Sequence, residues 1–374
     1  MLQIREARSL KSPNHGSSLV LSDITARAAE LDAYDNHEQI WLGEDRARGL
    51  TAIVAVHDTT LGPALGGTRV WPHASFEAAL TDALRLSRGM TLKSAVAGMP
   101  FGGGKAVIIA DPRTDKSPAM LEAYAEMLLA LNGQYFTGED VGLTLADADF
   151  LRARTPNVTG TTKGGSGNPS PVTAHGVFLG LKAALAHRRG TDRLEGITVA
   201  VQGLGSVGRA LCNKLHAEGA RLIVADIDEA RVRDAVKSLG ARAMSTDKIL
   251  SVEADVLAPC ALGGLFSRET VPLIKAEIVA GAANNQLARH EDARQMMELG
   301  ILYAPDYVIN GGGLINVAAE LAPGGYDHRD AMARVARIPA ILTDIFRRAE
   351  AEGRPTNDIA QEIARERLAA GRRG

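Results

Sequence analysis

Ile197-Thr-Val-Ala-Val-Gln-Gly-Leu-Gly-Ser-Val-Gly208, with Asp226 closing the next apolar run, decides how the second half of the chain folds. Ile197 to Gln202 reads as a buried strand, Ser206 to Glu218 as a helix and Leu222 to Asp226 as the next strand. Between them, Gly203-Leu-Gly205-Ser-Val-Gly208 has the spacing G-x-G-x-x-G, weak alone but strong between a strand and a helix. Gly203 permits the tight turn, and Gly205 lets the backbone approach a pyrophosphate at the helix start, beside Ser206 and Val207. Gly208 lets helix and sheet pack closely. Asp226 can accept hydrogen bonds from ribose hydroxyls and repels a 2′-phosphate, so NAD is expected in preference to NADP. The competing reading, a glycine-rich turn without a ligand, is weakened by the strand-helix-strand setting, and Asp228 reads as a solvated second carboxylate.

Working outward, a helix from Glu229 to Leu239 and strands at Asp255 to Ala258 and Ile278 to Ala280 continue the alternation of a doubly wound parallel sheet. Upstream the pattern is mixed. Glu38 to Leu42 and Leu50 to His57 read as strands, Phe76 to Met90 as a helix capped by Ser75, Ala106 to Ala110 as a strand and Ala119 to Leu131 as a helix. The Thr, Gly, Ser and Pro-rich stretch from Arg154 to Pro171 marks a boundary. The expected fold is α/β with two domains and a cleft between them: a mixed α/β substrate and oligomerisation domain over 1–155, and a Rossmann-type NAD domain over 156–339. Charged amphipathic helices over 340–374 are expected to pack back on the first domain.

A chain of 374 residues exceeds one ordinary core, which agrees with two domains. A formal net charge of −2 calls for neither nucleic acid nor an anionic membrane. The only cysteines, Cys212 and Cys260, offer no disulfide framework and no zinc spacing, so no metal is expected. No apolar run long enough for a membrane span or export signal occurs, and a cytoplasmic protein is expected.

Lys93 and Lys105 flank the run Ser94-Ala-Val-Ala-Gly-Met-Pro-Phe-Gly-Gly-Gly104, whose glycines could let both ammonium groups converge. Two like charges in one dry site are costly, so one lysine is expected to lose its proton and act as a base while the other clamps an anion. A nucleotide phosphate loop would need glycine at Met99 and Ser or Thr at Ala106, and neither is present. An exposed lysine beside strand-opening glycines is the bland alternative.

Several blocks then stand in order: Gly62-Pro-Ala-Leu-Gly-Gly-Thr-Arg69, Arg88-Gly-Met-Thr-Leu-Lys93, Gly102-Gly-Gly-Lys105, Thr137-Gly-Glu-Asp-Val-Gly142, Gln202-Gly-Leu-Gly205, Ala258-Pro-Cys-Ala261, Gly281-Ala-Ala-Asn-Asn285 and Asn310-Gly-Gly-Gly313. On these the chain resembles the glutamate/leucine/phenylalanine/valine dehydrogenase family from about Trp41 to Leu321, nearest its leucine/phenylalanine branch. The resemblance implies NAD-dependent reversible oxidative deamination of an L-amino acid, in a homo-oligomer assembled through the first domain. By the same resemblance Lys93 binds the substrate carboxylate with help from Asn285, Lys105 activates water, and Asp140 moves protons at the substrate nitrogen. Gly66 and Gly67 let the backbone approach the substrate, Thr173 and Asn284 lie near the nicotinamide, and Cys260 with Ala261 walls the cofactor cleft. Asp140 taken alone could be a helix-cap aspartate.

The family's side-chain pocket maps to Leu65, Gly138, Leu314 and Val317. No cation is placed there for a second carboxylate, which disfavours glutamate. Gly138 with Leu314 is the pair found in phenylalanine-type members, so a bulky apolar side chain is expected, with leucine or valine as the alternative. Two other readings compete: an NAD-binding scaffold without turnover, and a hydroxy-acid dehydrogenase. The latter chemistry wants a histidine and carboxylate pair, whereas His73 and His175 only lie near the blocks and read as packed or solvated.

Overall fold

A glycine-rich strand organises the first part of the chain. In the computed structural model, which describes residues 9–11, 18–261 and 263–373, eight strands form one mixed sheet. They are β1 (Ser9–Lys11), β2 (Val20–Asp23), β3 (Gln39–Asp45), β4 (Leu50–Asp58), β5 (Ala64–Leu65), β6 (Thr68–Trp71), β7 (Gly102–Ile109) and β8 (Tyr135–Phe136). The order is β1-β2-β3-β4-β7-β5-β8, with β6 also on β7. β4 is buried on both faces, which is why it reads as a continuous apolar run. Ala52, Val54 and Val56 pack with Tyr124, Met127 and Leu128, while Ile53 and Ala55 pack with Leu80, Leu84 and Val107.

Two expected boundaries shift here. Ser75 does cap its helix, accepting from the Ala78 N–H, but the helix runs Phe76–Val96 and contains Lys93 instead of ending before it. No proline intervenes, Gly89 is absorbed within the helix, and Gly98, whose φ is +67°, ends the helical path. β7 likewise begins at Gly102, so Lys105 lies inside a strand instead of opening one, because β4 and β5 supply backbone partners along the glycines.

The second sheet has six parallel strands: β9 (Thr198–Gln202), β10 (Arg221–Ala225), β11 (Arg242–Ala243), β12 (Val256–Pro259), β13 (Ile278–Val279) and β14 (Leu302–Tyr303). Their order, β11-β10-β9-β12-β13-β14, is that of a doubly wound dinucleotide fold.

The chain divides into two compact units, Met1–Asn168 with Val317–Asp327 and Arg367–Gly374, and Pro169–Asn316 with His328–Glu366. The division therefore falls at Asn168 instead of after 155. The polar stretch before it is tied to the first unit by Glu320, whose Oε1 accepts from Gly160 N–H at 2.8 Å and Ser166 N–H at 2.7 Å. Asp149 adds bonds from the Thr162 N–H and hydroxyl. The helix Ile338–Glu352 departs from its expected place too: it belongs to the second unit, where Leu342 packs on the face of Ser170–Arg189 that carries Gly180. Only the end of the chain returns to the first unit, with Arg367 donating to Ala95 C=O and Arg372 pairing with Asp58. No helix among the described residues is long and apolar enough to cross a membrane.

Candidate active site

Lys105 is 6% exposed, and its surroundings follow from strand register. Ala64 faces Gly102 and Thr68 faces Ala106, so the register passes unbroken through Gly66 and Gly67 and sets Gly67 beside Lys105. On its other side the same segment bonds to the stretch after β8: Thr68 N–H donates to Gly138 C=O at 3.0 Å and Val70 N–H to Val141 C=O at 2.8 Å. Lys105 in β7, Gly67 between β5 and β6, and Asp140 in the stretch after β8 thus lie side by side, and the missing side chain in the middle lets the outer two meet. Lys105 Nζ lies 2.6 Å from Asp140 Oδ2. A methyl on Gly67 would sit 2.6 Å from Glu139 O and 2.9 Å from the Asp140 Cβ, and one on Gly66 would overlap the Gly104 carbonyl. These glycines are needed for packing between strands, whatever else approaches them.

Arg69, two residues beyond Gly67 and on the same face of the strand, places Nε 3.5 Å from the same Asp140 Oδ2. Its Nη1 lies 3.0 Å from Asp82 Oδ2, and His73 Nε2 lies 3.5 Å from that oxygen. Burial by itself would raise the Asp140 carboxyl. Lys105, then Arg69 and the Val141 N–H, outweigh it and hold the group below the usual carboxylate range. Beneath, Tyr135 O–H donates to Gly66 C=O at 2.5 Å, and the Thr68 hydroxyl pairs with Tyr124 and Thr137. Burial pushes both phenols up, so they stay neutral.

Lys93 is half-buried on the helix laid over β7 at Gly103, where a methyl would overlap the Thr91 backbone. Leu65 is buried in β5. A methyl added to Gly138 would point at Thr159, 3.2 Å from the carbonyl oxygen and 3.3 Å from Oγ1. Val317 belongs to the first unit, with Cγ1 3.6 Å from a methyl built on Gly160, whereas Leu314 is a buried residue of the second.

In the second unit, two glycines of the motif are fixed by packing. A methyl on Gly203 would lie 2.8 Å from the Ala261 Cβ, and one on Gly208 would overlap the Gly203 carbonyl and stand 3.1 Å from the Cys260 Cβ. Gly205 is different. A methyl there meets no protein atom within 4 Å, and its φ of −63° suits any residue. As a glycine it caps the helix Ser206–Ala217 without a side-chain hydrogen bond to the first turn at Ser206 and Val207. That cradle fits a pyrophosphate. Asp226 Oδ2 accepts from Leu204 N–H at 2.5 Å and Oδ1 from Asp228 N–H at 2.8 Å, so the carboxylate also pins the glycine turn while keeping acceptor capacity.

Thr173 donates its hydroxyl to Pro169 C=O and packs against Gly312 and Gly313. Asn284 Oδ1 accepts from Asn310 Nδ2 at 2.7 Å, and exposed Asn285 has φ +51°, a left-handed conformation that asparagine tolerates. Burial pushes the Cys260 thiol up to about 11, which makes it a poor nucleophile and a packing residue.

Residues 37–157 match the profile of the Glu/Leu/Phe/Val dehydrogenase dimerisation domain, and 164–232 with 224–370 match that of Glutamate/Leucine/Phenylalanine/Valine dehydrogenase. The chain belongs to this dehydrogenase family. Leucine dehydrogenase of Geobacillus stearothermophilus is 50% identical over 90% of this chain and 92% of its own length. L-tryptophan dehydrogenase of Nostoc punctiforme is 47% identical over 90% of this chain and 95% of its own. A crystal structure of L-tryptophan dehydrogenase from Nostoc punctiforme superposes with a TM-score of 0.80 at 44% identity, covering 91% of this chain and 98% of that one. The molecule is an amino acid dehydrogenase.

Three parts of the dehydrogenase carried no separate signal in its sequence. Arg69 stood at the end of a quoted block with no role attached, and Asp82 is an ordinary polar position on a helix. Gln286 is fully buried and closes the Gly281 to Asn285 loop by donating to the Gly281 and Ala283 carbonyls at 3.1 and 2.9 Å. A polar residue next to such a block gives no hint of burial until the fold encloses it.

Proposed function

We propose that the chain is an NAD-dependent dehydrogenase that reversibly deaminates an apolar L-amino acid, phenylalanine or leucine, to its 2-oxo acid and ammonia. The observation that carries this reading is the pairing of buried Lys105 with partly buried Asp140, 2.6 Å apart across Gly67. Bound in the cradle at Gly205, Ser206 and Val207, with Asp226 toward the ribose, NAD would accept hydride from the substrate Cα. Thr173, Asn284 and the Cys260-Ala261 wall would border it.

Lys93, with Asn285, holds the substrate carboxylate as a point charge. Lys105, as general base, takes a proton from the water that attacks the imino carbon, and Asp140 delivers a proton to the departing nitrogen. The short contact between them lets the proton gained by one be shared with the other, so the site need not draw protons from solvent at each step. Gly66 and Gly67 let the protein backbone approach the substrate, and Leu65, Gly138, Leu314 and Val317 take its side chain. The similarity to both leucine and tryptophan dehydrogenases supports an apolar pocket, and the first of these favours leucine as the second reading. We place the enzyme in the cytoplasm, as a homo-oligomer built through the first unit.

The test is NADH formation across a panel of L-amino acids, with NADP in parallel. Lys105→Ala should lower kcat by at least about a hundredfold, and Lys93→Ala should raise the KM for substrate instead. Unchanged kcat in the first variant, or no deamination of any apolar amino acid by the wild type, refutes the reading.

A further inference from the structure

We propose that Arg69, held by Asp82, is a positioning residue that keeps the Asp140 carboxylate on Lys105. The inference rests on the reading above, in which Lys105 and Asp140 move the protons. It starts from a geometric asymmetry. An arginine free to chelate a carboxylate closes to about 2.8 Å through two parallel contacts. Arg69 instead stands off Asp140, with Nε at 3.5 Å, because its Nη1 is engaged by Asp82 Oδ2 at 3.0 Å. The short contact of Asp140 is left to Lys105, at 2.6 Å, on the same Oδ2.

Every element packed around Asp140 enters this balance. β7 contributes Lys105, β6 contributes Arg69, and β8 contributes the neutral phenol of Tyr135. Exposed Glu139 precedes Asp140 in its own segment. The helix Phe76–Val96 contributes Asp82, which is shared with His73 at 3.5 Å, and carries Lys93 about three turns further on. Arg69 and Asp82 are each about three-quarters buried, so their charges are poorly screened by solvent.

The guanidinium has two effects on the pair. Its positive charge keeps the carboxylate ionised, and its partial restraint by Asp82 prevents it from drawing the carboxylate off Lys105. Removing one or the other should therefore move the pH dependence in opposite directions. In Arg69→Gln the pair loses a positive neighbour and holds its protons to higher pH. In Asp82→Asn the guanidinium is released toward Asp140 and the pair gains net positive charge.

The experiment is the pH profile of kcat/KM with L-leucine and NAD for wild type, Arg69→Gln, Arg69→Lys and Asp82→Asn, alongside Lys105→Ala and Asp140→Asn. Arg69→Gln should lower kcat by about tenfold or more and move the acid limb up by about one pH unit, with the KM for leucine changed less than about threefold. Arg69→Lys should return the limb toward wild type, and Asp82→Asn should move it down. NADH binding and the far-UV spectrum, read on the same samples, establish that each variant is folded, and the downward shift expected of Asp82→Asn carries the test if the glutamine variant is not. Superimposable profiles, or shifts of one sign in both Arg69→Gln and Asp82→Asn, overturn the proposal while leaving the catalytic reading intact if Lys105→Ala and Asp140→Asn are inactive. Active Lys105→Ala and Asp140→Asn overturn both.

Discussion

Gly67→Ala tests whether the strand register creates the chemistry. The new methyl would stand 2.6 Å from Glu139 O, a backbone atom that cannot rotate away, and 2.9 Å from the Asp140 Cβ. Well-packed heavy atoms sit at about 3.5 Å or more, so the two segments must part by roughly 1 Å. The Lys105 to Asp140 contact, 2.6 Å in the native chain, would then open beyond hydrogen-bond reach. A displacement of about 1 Å at reacting groups costs about a hundredfold in rate, and overpacking of this kind costs about 1–3 kcal/mol of stability. Each kcal/mol lowers Tm by roughly 2–4 °C in a domain of this size, so a fall of about 2–12 °C is expected. The assay is kcat from NADH absorbance with leucine, beside a thermal melt and an NADH titration, which should be unchanged because the dinucleotide motif lies in the other unit. A variant that kept at least half of the native kcat would refute the geometry of the three adjacent segments.

Acid stability should depend on His37, which is 2% exposed. Burial, with His57 beside it, lowers its pKa from 6.5 to about 4. Its Nδ1 accepts from Asp35 N–H while Nε2 faces the Leu84 carbonyl, which fixes the neutral ring. Because the unfolded chain takes up this proton first, stability is full above about pH 6.5 and falls as pH drops toward 4, by at most about 3 kcal/mol; His37→Asn should flatten that part of the Tm profile, and an unaltered slope would contradict it. At Asp226, removal of the charge should narrow the preference for NAD over NADP in both Asp226→Asn and Asp226→Ser. Only the serine variant should also lower Tm, since asparagine still reaches the Leu204 N–H, and equal melts would count against the pinning role. Gly138→Ala directs its methyl at Thr159, so the phenylalanine to leucine ratio of kcat/KM should change less than about threefold; a tenfold drop would mean that the methyl reaches the substrate.

Local chemistry was enough for the sequence to determine the second sheet and to mark a candidate site on it. A strand, a glycine turn, a helix and an acidic residue at fixed spacing form one contiguous unit, so Gly203, Gly205, Gly208 and Asp226 could be singled out from spacing alone. The two lysines, the blocks shared with the dehydrogenase family and the apolar doubly buried run of β4 were legible for the same reason. What tertiary structure decided depends on elements distant in the chain. That Gly67 separates Lys105 from Asp140, that Arg69 is held off by Asp82, and that Gly138 faces Thr159 all follow from register between strands and the close laying of a helix over Gly103. The helix Ile338–Glu352 likewise joined the second unit because Leu342 found the small face of Ser170–Arg189 at Gly180. Amphipathic pattern shows that a helix has a face to bury, but not which of two cores will receive it; that choice is made by the shape of the partner surface.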